Sequence, residues 1–502
     1  MPINMRIRAV LCAACGAVYS FYFLFPQFRS DRISIDTLLV LAFIPVAALC
    51  LFRVLASWPL LGGGKPQTVR LIRLLPMYAT AFSAGLALGI GAGAKISSSV
   101  NFGIPEDTVM GVSGVLLDDP RLLSIGRAMS TLSLRMATGT NGVRATASGE
   151  ITVFFMEESA ERLREFGRGA GIFAGGNLRE SSGAGGGYVF SAESLHVTEQ
   201  APPLERFRTG LRLGLARRLS ADWGGMALAL LVGIRDNLDT GIASLYRDAG
   251  CSHILALSGM HLAVLVAIIS FLLKKPLGLR PAALAGACII IAYCFIVGPL
   301  PSLNRAALMY LIGVFAVLGM LKRDALTLLC MAFLVQLVFT PKAGVSLSFI
   351  LSYLALAGIL IIGEMLNSYF TGRIPAVILQ PVAASLGAFI ATAGVTAWFF
   401  GILRPVGIAA SLVLTPLTML FMIGSILWLL VDLTVPSLSF LMANPLSLLY
   451  RLMENTAKLA SYVPGLRANA VLVILMSLLI IAALVWLEHR RRAGANRLEP
   501  FA

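Results

Sequence analysis

The amino-acid composition of this 502-residue chain excludes a water-soluble protein with an ordinary polar surface. Hydrophobic residues make up 58% of the chain and charged residues only 13%, whereas a typical soluble domain has about 25% charged residues. The mean hydropathy of +0.85 excludes a disordered or fibrous protein, and the net charge of +15 raises the question of where the basic residues lie.

Long apolar runs predict about eleven membrane-spanning helices, within a range of about 10 to 12, because about 20 apolar residues cross a bilayer. Three runs precede residue 95, near 9–28, 37–56 and 74–94. After a long polar interval the runs resume near 253–273, 281–298, 305–321, 325–339, 344–363, 375–400, 406–432 and 470–487. The stretch 436–464 contains three prolines, and we interpret it as an interfacial or re-entrant helix.

The distribution of basic residues predicts the orientation of these helices. Basic residues precede the first run and separate the second from the third, namely Arg6, Arg8, Arg53, Lys65, Arg70 and Arg73. Such residues favour the cytoplasmic side, which predicts a cytoplasmic N-terminus, an extracytoplasmic segment 95–222 and a location in the inner (cytoplasmic) membrane. We interpret the first run as an uncleaved anchor, because it is long and another span follows it. The basic cluster at 489–492 is expected in the cytoplasm, which requires one further crossing or one re-entrant span.

The polar interval between the third and fourth spans predicts a small β-barrel. Short β-type runs alternate with glycine-rich turns, at Val109 to Leu117, Gly142 to Ala147, Glu150 to Phe155, Gly171 to Phe173 and Gly187 to Val197. Five short strands suit an OB-like fold, a type of barrel that often binds single-stranded nucleic acid. Segment 175–187, which is rich in glycine and serine, is expected to be a flexible loop.

Two observations weigh against nucleic-acid binding by this barrel. Residues 95–200 contain nine basic and twelve acidic side chains, a net charge of −3, whereas a DNA-binding groove is basic. Phe154, Phe155, Tyr188 and Phe190 are possible stacking platforms for bases, but aromatic residues that alternate along strands more often form the barrel core.

A basic amphipathic helix is predicted at 205–218. Its arginines are Arg206, Arg208, Arg212, Arg217 and Arg218, and the apolar side chains at Leu204, Phe207, Leu211, Leu215 and Leu219 are expected on the opposite side. One interpretation is an interfacial helix that rests on anionic lipid headgroups. The other is a guide for a polyanion at the mouth of a pore.

The strongest local group of polar residues in an apolar run extends from Cys251 to His261. On a helix Ser258 and His261 share a face, so a serine–histidine catalytic pair is conceivable, but no carboxylate accompanies them in the span. Zinc binding is weakly supported, because His253 and His261 are eight residues apart and the chain has only four histidines. We favour a polar notch at Ser258 and Gly259 that orients His261 toward a cavity. The seven cysteines lie in or beside apolar runs and indicate packing rather than disulfides.

An arginine and three serines lie at the beginnings of later spans. Arg305 is expected at the outer end of the span 305–321, where it either holds phosphates or anchors the helix by extending its charge to the headgroups. Ser346, Ser348 and Ser352 open the span 344–363, where serines either line a polar path or bond to a neighbouring helix.

In their order along the chain, these motifs resemble those of the ComEC competence family, the inner-membrane channels for single-stranded DNA in natural transformation. Ala249 to His261 is similar to the family's His-Leu-x-x-x-Ser-Gly-x-His hallmark, and Leu231 to Arg235 to its Leu-Gly-x-Arg element. Further matching segments are Gly111 to Val115, Asp119-Pro120, Gly126-Arg127, Pro301 to Met309, Arg323-Asp324, Gly344 to Phe349 and Pro405 to Pro416. The metallo-β-lactamase-like domain of many members, with its metal-binding histidines, is missing, so a short form is expected.

The resemblance implies a channel that passes single-stranded DNA into the cytoplasm, with an extracytoplasmic DNA receptor and a cytoplasmic helicase-like ATPase as partners. The chain contains no nucleotide-binding loop of the Gly-x-x-x-x-Gly-Lys type, so energy would come from a partner. We expect no enzymatic activity, no cofactor and no metal, contact with membrane lipids and possible homo-oligomers. The alternative is a transporter or flippase for a lipid-linked or small anionic solute.

These interpretations divide the chain into five parts. Residues 1–94 are expected to be transmembrane helices, 95–200 the extracytoplasmic OB-like domain, 201–250 the basic helix and a linker, 251–490 the channel domain and 491–502 a basic cytoplasmic tail. The predicted polar path comprises Ser258, Gly259, His261, Arg305, Ser348 and Ser352. The candidates for DNA-backbone contacts are Arg206, Arg208, Arg212, Arg217, Arg218 and Arg235.

Overall fold

The computed structural model describes residues 100–498 apart from 124–125, 182–186, 322–323, 341–342 and 345. The three spans predicted before residue 95, and the predicted orientation of the N-terminus, lie outside the described residues.

The first described part is a closed β-barrel. Its strands are β1 (Val109–Leu116), β2 (Arg121–Leu123), β3 (Arg127–Gly139), β4 (Arg144–Thr146), β5 (Glu150–Met156), β6 (Gly171–Ser181) and β7 (Gly187–Glu199). A short 3₁₀ turn (Glu106–Thr108) precedes β1, and helix α1 (Glu157–Phe166) connects β5 to β6.

Five long strands close the barrel in the order β1-β6-β7-β5-β3, because β1 also pairs with β3. All of these pairs are antiparallel except β5 with β7, which is parallel. This is the strand number and barrel closure expected of an OB-like domain. Leu132, Ile151 and Phe190 are among the fully buried side chains of its core.

The structure contains two strands that the prediction omitted, β2 and β3, and a longer β6 than predicted. The prediction omitted β3, in which the apolar pattern is interrupted by the buried Ser130, whose hydroxyl donates to the Asp118 carbonyl at 2.9 Å. The predicted loop 175–187 is wrong for residues 175–181, which continue β6 and pair with β7 as far as Ser181 opposite Gly187. These interstrand hydrogen bonds order a glycine-rich backbone that would be flexible alone.

The aromatic residues considered as stacking platforms have different positions. Phe155 and Phe190 are buried in the barrel core, which is the packing role that strand alternation favours. Tyr188 is half-buried and its ring meets Phe102 edge-on at 5.5 Å, while Phe154 is half-buried.

The second part of the structure is helical. Four short or amphipathic helices come first: α2 (Pro203–Arg218), α3 (Gly224–Leu231), α4 (Thr240–Asp248) and α5 (Ser252–Leu255). They are followed by α6 (Gly259–Leu277), α7 (Leu279–Val297), α8 (Pro301–Leu318), α9 (Ala325–Phe339), α10 (Leu347–Gly358), a π-helical segment (Ile359–Gly363), α11 (Glu364–Phe370), α12 (Ala376–Phe400), α13 (Val406–Thr434), a 3₁₀ turn (Pro436–Leu438), α14 (Phe440–Ser461) and α15 (Ala470–Leu498). A minimal pairing of β8 (Ile402–Leu403) with β9 (Leu466–Arg467) joins two loops.

Seven of the described helices are long and apolar enough to cross a membrane. They are Gly259–Leu277, Leu279–Val297, Pro301–Leu318, the continuous helix Leu347–Phe370, Ala376–Phe400, Val406–Thr434 and Ala470–Leu487, and the shorter Ala325–Phe339 is also apolar. Each corresponds to one of the spans predicted after residue 250. The protein is therefore a polytopic α-helical membrane protein with a small inserted β domain.

One boundary differs from the predictions for a physical reason. The span predicted at 253–273 begins only at Gly259, because Ser258 is extended and caps α6 while α5 forms a separate turn. Within the stretch 436–464, α14 buries Leu446 and Met453 in the cluster that also contains Phe421 of α13.

Candidate anion site in the membrane domain

Helices α6 to α9 are consecutive and antiparallel, and the polar side chains of interest lie where α7 ends and α8 begins. We call this the docking end of the membrane domain, between Val297 and Pro301. The hydroxyl of Ser302 donates to the Leu257 carbonyl at 2.5 Å, which joins the start of α8 to the segment before α6.

The first turn of α6 fixes the orientation and the tautomer of His261. The backbone N–H of Ser258 donates to His261 Nδ1 at 3.0 Å, and the N–H of Met260 donates to Ser258 Oγ at 3.3 Å, in a reciprocal capping box. Because Nδ1 accepts this hydrogen bond, the proton of the neutral ring lies on Nε2. Only 1% of His261 is exposed, and Nε2 has no hydrogen-bond partner among the described residues.

Arg305 lies in the second turn of α8 and is also buried, with 8% of its surface exposed. Its Nη1 donates to both the carbonyl and the hydroxyl of Ser352, and its guanidinium lies 5.8 Å from the centre of the Tyr353 ring. No carboxylate of the described residues forms an ion pair with it, and its Nε is unpartnered there. The side chain is therefore buried among neutral groups of the protein.

The absence of a side chain at Gly259 lets Arg305 of α8 approach the start of α6. A Cβ added at Gly259 would lie 3.4 Å from Arg305 Nη2 and 3.5 Å from the Cβ of Ala306. The guanidinium thus packs against the first turn of α6, where the helix dipole adds about half a positive charge. A buried guanidinium beside a helix N-terminus, with no ion-pair partner among the described residues, favours an anion.

A buried network supports the arginine. Tyr353 donates its hydroxyl to Gln336 Oε1 at 2.9 Å, and Gln336 Nε2 donates to the Pro301 carbonyl at 3.4 Å. Neither Tyr353 nor Gln336 was predicted from the sequence. A signal for Gln336 existed, because it is the single amide side chain in the apolar run 325–339 and polar groups inside spans usually have a role.

The structure brings together five of the six residues predicted to line a polar path. Ser258, Gly259 and His261 form the start of α6, and Arg305 connects Gly259 to Ser352. Ser348 lies one turn before Ser352 on α10 and is exposed.

The arginines of α2 have a different environment from the one predicted. Arg208 is 1% exposed, and its guanidinium donates to Asp119 at 2.6 and 3.1 Å and to the Phe295 carbonyl at 2.9 Å. Arg212 donates to the Ile296 and Val297 carbonyls at 3.0 and 3.1 Å. These two arginines therefore join α2 and the barrel to the carboxyl end of α7.

The sequence-based interpretations gave the arginines of α2 lipid headgroups or a polyanion as partners, whereas Arg208 and Arg212 face inward and bind the protein itself. Leu204 and Phe207, on the other side of the helix, are each 63% exposed. The reason is that the last carbonyls of α7 lack partners within their own helix and attract cationic donors.

The other candidate arginines lie on the surface. Arg206 donates to Gln200 at 2.9 Å, Arg218 pairs with Asp432 at 2.7 Å, and Arg235 donates to the Leu255 carbonyl at 2.8 Å. Arg217 is exposed and forms no ion pair with the described residues. These four arginines are separate from the buried group around Arg305.

Electrostatics at Asp119 agree with a structural role for the α2 arginines. Burial alone would raise the pKa of this carboxyl, but the hydrogen bonds and positive charge of Arg208, together with the charge of Arg212, outweigh burial and lower the pKa. Burial lowers the pKa of Arg212 despite the charge of Asp119. The carboxylate therefore remains ionised between its two cations.

A cleft of about 280 Å³ opens between α7, α8 and α9. Its lining is apolar apart from Asn304, Gln336 and Thr340, and it contains no charged side chain. Within the described ranges, no three His, Cys, Asp or Glu side chains come together as a metal site.

Comparison with known proteins places these features in a family. A family model described as Competence protein matches residues 230–490, more than half of the chain. ComE operon protein 3 of Bacillus subtilis (strain 168) is 33% identical over 144 residues, which cover 27% of this chain and 18% of that protein. An uncharacterized protein of Aquifex aeolicus (strain VF5) is 28% identical over 230 residues, covering 46% of this chain and 53% of that protein. The aligned segments thus span about half or less of each relative's length.

Proposed function

The chain belongs to the competence protein family, and from this premise we propose that it passes single-stranded DNA across the cytoplasmic membrane during natural transformation. The main supporting observation is the buried guanidinium of Arg305 at the start of α6, with no carboxylate partner among the described residues. A site of this kind suits the phosphate backbone of DNA. Because every nucleotide has the same phosphate charge, such a site would accept DNA of any sequence.

The β-barrel is proposed to lie outside the cell, at the entrance of the path. Arg208 and Asp119 join it to the docking end of the membrane domain, which is also the end nearest Arg305. DNA that approaches from outside would then reach the barrel side first. The exposed Arg206, Arg217 and Arg235 remain candidates for phosphate contacts there, whereas Arg208 and Arg212 are engaged with the protein and Arg218 is paired with Asp432.

We propose that transport involves no covalent chemistry. Ser258 Oγ lies 3.1 Å from His261 Nδ1, a distance that a serine nucleophile and its base would also have. However, the same nitrogen accepts the backbone N–H of Ser258, and no carboxylate orients the ring within the described residues. The contact is explained by helix capping, and energy for transport would come from a cytoplasmic helicase-like ATPase, with an extracytoplasmic DNA receptor as the other partner.

A transporter or flippase for a small or lipid-linked anion is the alternative function. The observation in its favour is the mostly apolar cleft of about 280 Å³ between α7, α8 and α9, which has room for part of an apolar chain. Such a protein would need only one anion site. It would not carry DNA into the cell, so DNA uptake distinguishes the two functions.

The test of the proposed function is uptake of labelled DNA in a transformable host that has this chain as its only competence protein of this type. Deletion should abolish uptake into the cytoplasm, and Arg305→Ala should reduce uptake about tenfold or more, the effect of losing one charge-assisted contact. Protein abundance in the membrane should stay unchanged.

Arg373→Ala is a matched control, because Arg373 also lies over a tyrosine ring, at 5.4 Å from Tyr369, but is exposed. It should leave uptake unchanged. Normal transformation in the deletion strain would remove the proposed function, and a parallel loss of uptake and abundance in Arg305→Ala would make Arg305 a folding residue.

A further inference from the structure

We propose that the cleft between α7, α8 and α9 binds one acyl chain of a membrane lipid, with an ester group of that lipid beside Asn304. The inference does not depend on the proposed function, because it concerns the lipid that surrounds the protein and not the molecule that is transported. Lipid binding in the cleft and uptake of DNA can therefore be tested separately.

The lining of the cleft changes from polar to apolar along the helices. Asn304 lies in the first turn of α8 and Thr340 caps the end of α9, so both are at the docking end. Leu308 and Leu311 follow on α8, and Leu311 lies about 10 Å deeper than Asn304, at about 1.5 Å per residue. A lipid has the same gradient, since its ester groups lie at the surface of the hydrocarbon layer and its acyl chains extend inward.

The cleft is continuous with the surface that faces the bilayer. Ile291 and Phe339 line it and are 57% and 79% exposed, and exposed apolar side chains on the helices of a membrane domain contact lipid tails. Its volume of about 280 Å³ suits part of one chain. One turn of a protein helix, about 10 Å wide and 5.4 Å long, occupies about 400 Å³ and would not fit within it.

The hydrogen bonds of the polar lining identify Asn304 as the group available to a ligand. The Thr340 hydroxyl donates to the Gln336 carbonyl at 2.8 Å, and the Gln336 amide is bonded to Pro301 and Tyr353. The Asn304 side chain has no hydrogen-bond partner among the described residues. Its amide N–H groups suit the carbonyl oxygen of an ester. Because no charged side chain lines the cleft, the charged headgroup would remain outside.

The main test is native mass spectrometry of the full chain, purified in detergent and supplied with dioleoyl phosphatidylcholine. Wild type should retain one lipid, and Leu308→Trp, which fills the cleft, should retain about tenfold less, the effect of about two lost methylene contacts. Leu284→Trp is the matched control, because Leu284 is 48% exposed on α7 outside the cleft, and it should bind like wild type. Equal retention by wild type and Leu308→Trp would overturn the proposal.

An ether-linked phosphatidylcholine, which has no ester carbonyl, tests the contact with Asn304. Wild type should prefer the ester lipid about threefold, the typical strength of a hydrogen bond between membrane helices, and Asn304→Leu should bind both lipids equally. Thr340→Val should keep the preference, because the Thr340 hydroxyl is already bonded within the chain. Absence of any preference in wild type would contradict the proposed site.

Photo-cross-linking of the wild-type chain tests the site without a substitution. A phosphatidylcholine with a diazirine in the middle of one acyl chain should label Leu311 several-fold more than Phe315, which is 72% exposed on the same helix outside the lining. Equal labelling would indicate ordinary surrounding lipid and would rule out a specific site. An unlabelled cleft would also rule it out and would indicate that a second copy or another segment of the chain covers this surface.

Discussion

Arg208 and Arg305 are both buried arginines at the docking end of the membrane domain, but their partners differ. Arg208 is 1% exposed and pairs with the Asp119 carboxylate and the last carbonyls of α7. Arg305 is 8% exposed and contacts only the neutral Ser352 and Tyr353 among its recorded partners. The first arginine is fully compensated inside the protein and joins two domains. The second retains an uncompensated charge that a ligand can neutralise.

The comparison shows that residue type and helical spacing do not distinguish structural cations from ligand-binding ones. The arginine-rich helix α2 has the composition of a polyanion guide, yet its two inward arginines are bound to the chain itself. The functional candidate lies alone in an apolar helix. What separates them is the presence or absence of a counter-ion.

The largest expected effect is on stability, in the matched pair Arg208→Met and Arg305→Met. Arg208→Met leaves Asp119 and the α7 carbonyls without their main donor, and removal of one partner of a buried pair should destabilise the protein by about 3 kcal/mol. Arg305→Met removes an unpaired charge and should change stability by less than about 1 kcal/mol or increase it. Thermal unfolding of the purified full chain measures both. Equal destabilisation would mean that Arg305 has a partner inside the protein.

A smaller effect is expected from acid. The folded-state pKa of Asp119 is lowered from its ordinary value of 3.8, so its stabilising contribution is complete above that value and is lost as pH falls through the folded-state pKa. Wild type should therefore melt at a higher temperature than Asp119→Asn at about pH 6, and the difference should shrink below about pH 4. A difference that is constant or grows in acid would contradict the charge pairing of Asp119 with Arg208.

The smallest effect is expected at an exposed arginine. Arg217→Gln should change stability by less than about 0.5 kcal/mol, because Arg217 lies on the surface. If it contacts one phosphate of single-stranded DNA, the slope of log affinity against log salt should fall by about 0.7. Arg218→Gln is the control, since Arg218 is paired with Asp432 and should leave the slope unchanged. An unaltered slope in Arg217→Gln would exclude a phosphate contact there.

Much of the architecture could be predicted from local patterns. Apolar length alone identified the spans after residue 250, because a helix must cover the thickness of the hydrocarbon layer whatever its neighbours. Alternating strands and glycine turns identified the barrel, although the buried Ser130 concealed β3 and strand pairing ordered the residues predicted as a loop.

The candidate site was predictable in part. His261 and Arg305 are detectable as polar residues in apolar runs, whereas the contact of Arg305 with Gly259 that joins α8 to α6 is visible only in the structure. Tyr353 was missed because a tyrosine in a span is compatible with ordinary packing, and its role became visible only from its position over Arg305.

The sequence by itself determined the membrane spans, the inserted β domain and the residues able to bear chemistry, since these depend on hydrophobic length and local periodicity. Only the tertiary structure decided which way α2 faces and which arginine lacks a counter-ion. The physical reason is that charge compensation depends on groups distant in sequence, such as Asp119 and the Phe295 carbonyl around Arg208. No local pattern in the chain records those contacts.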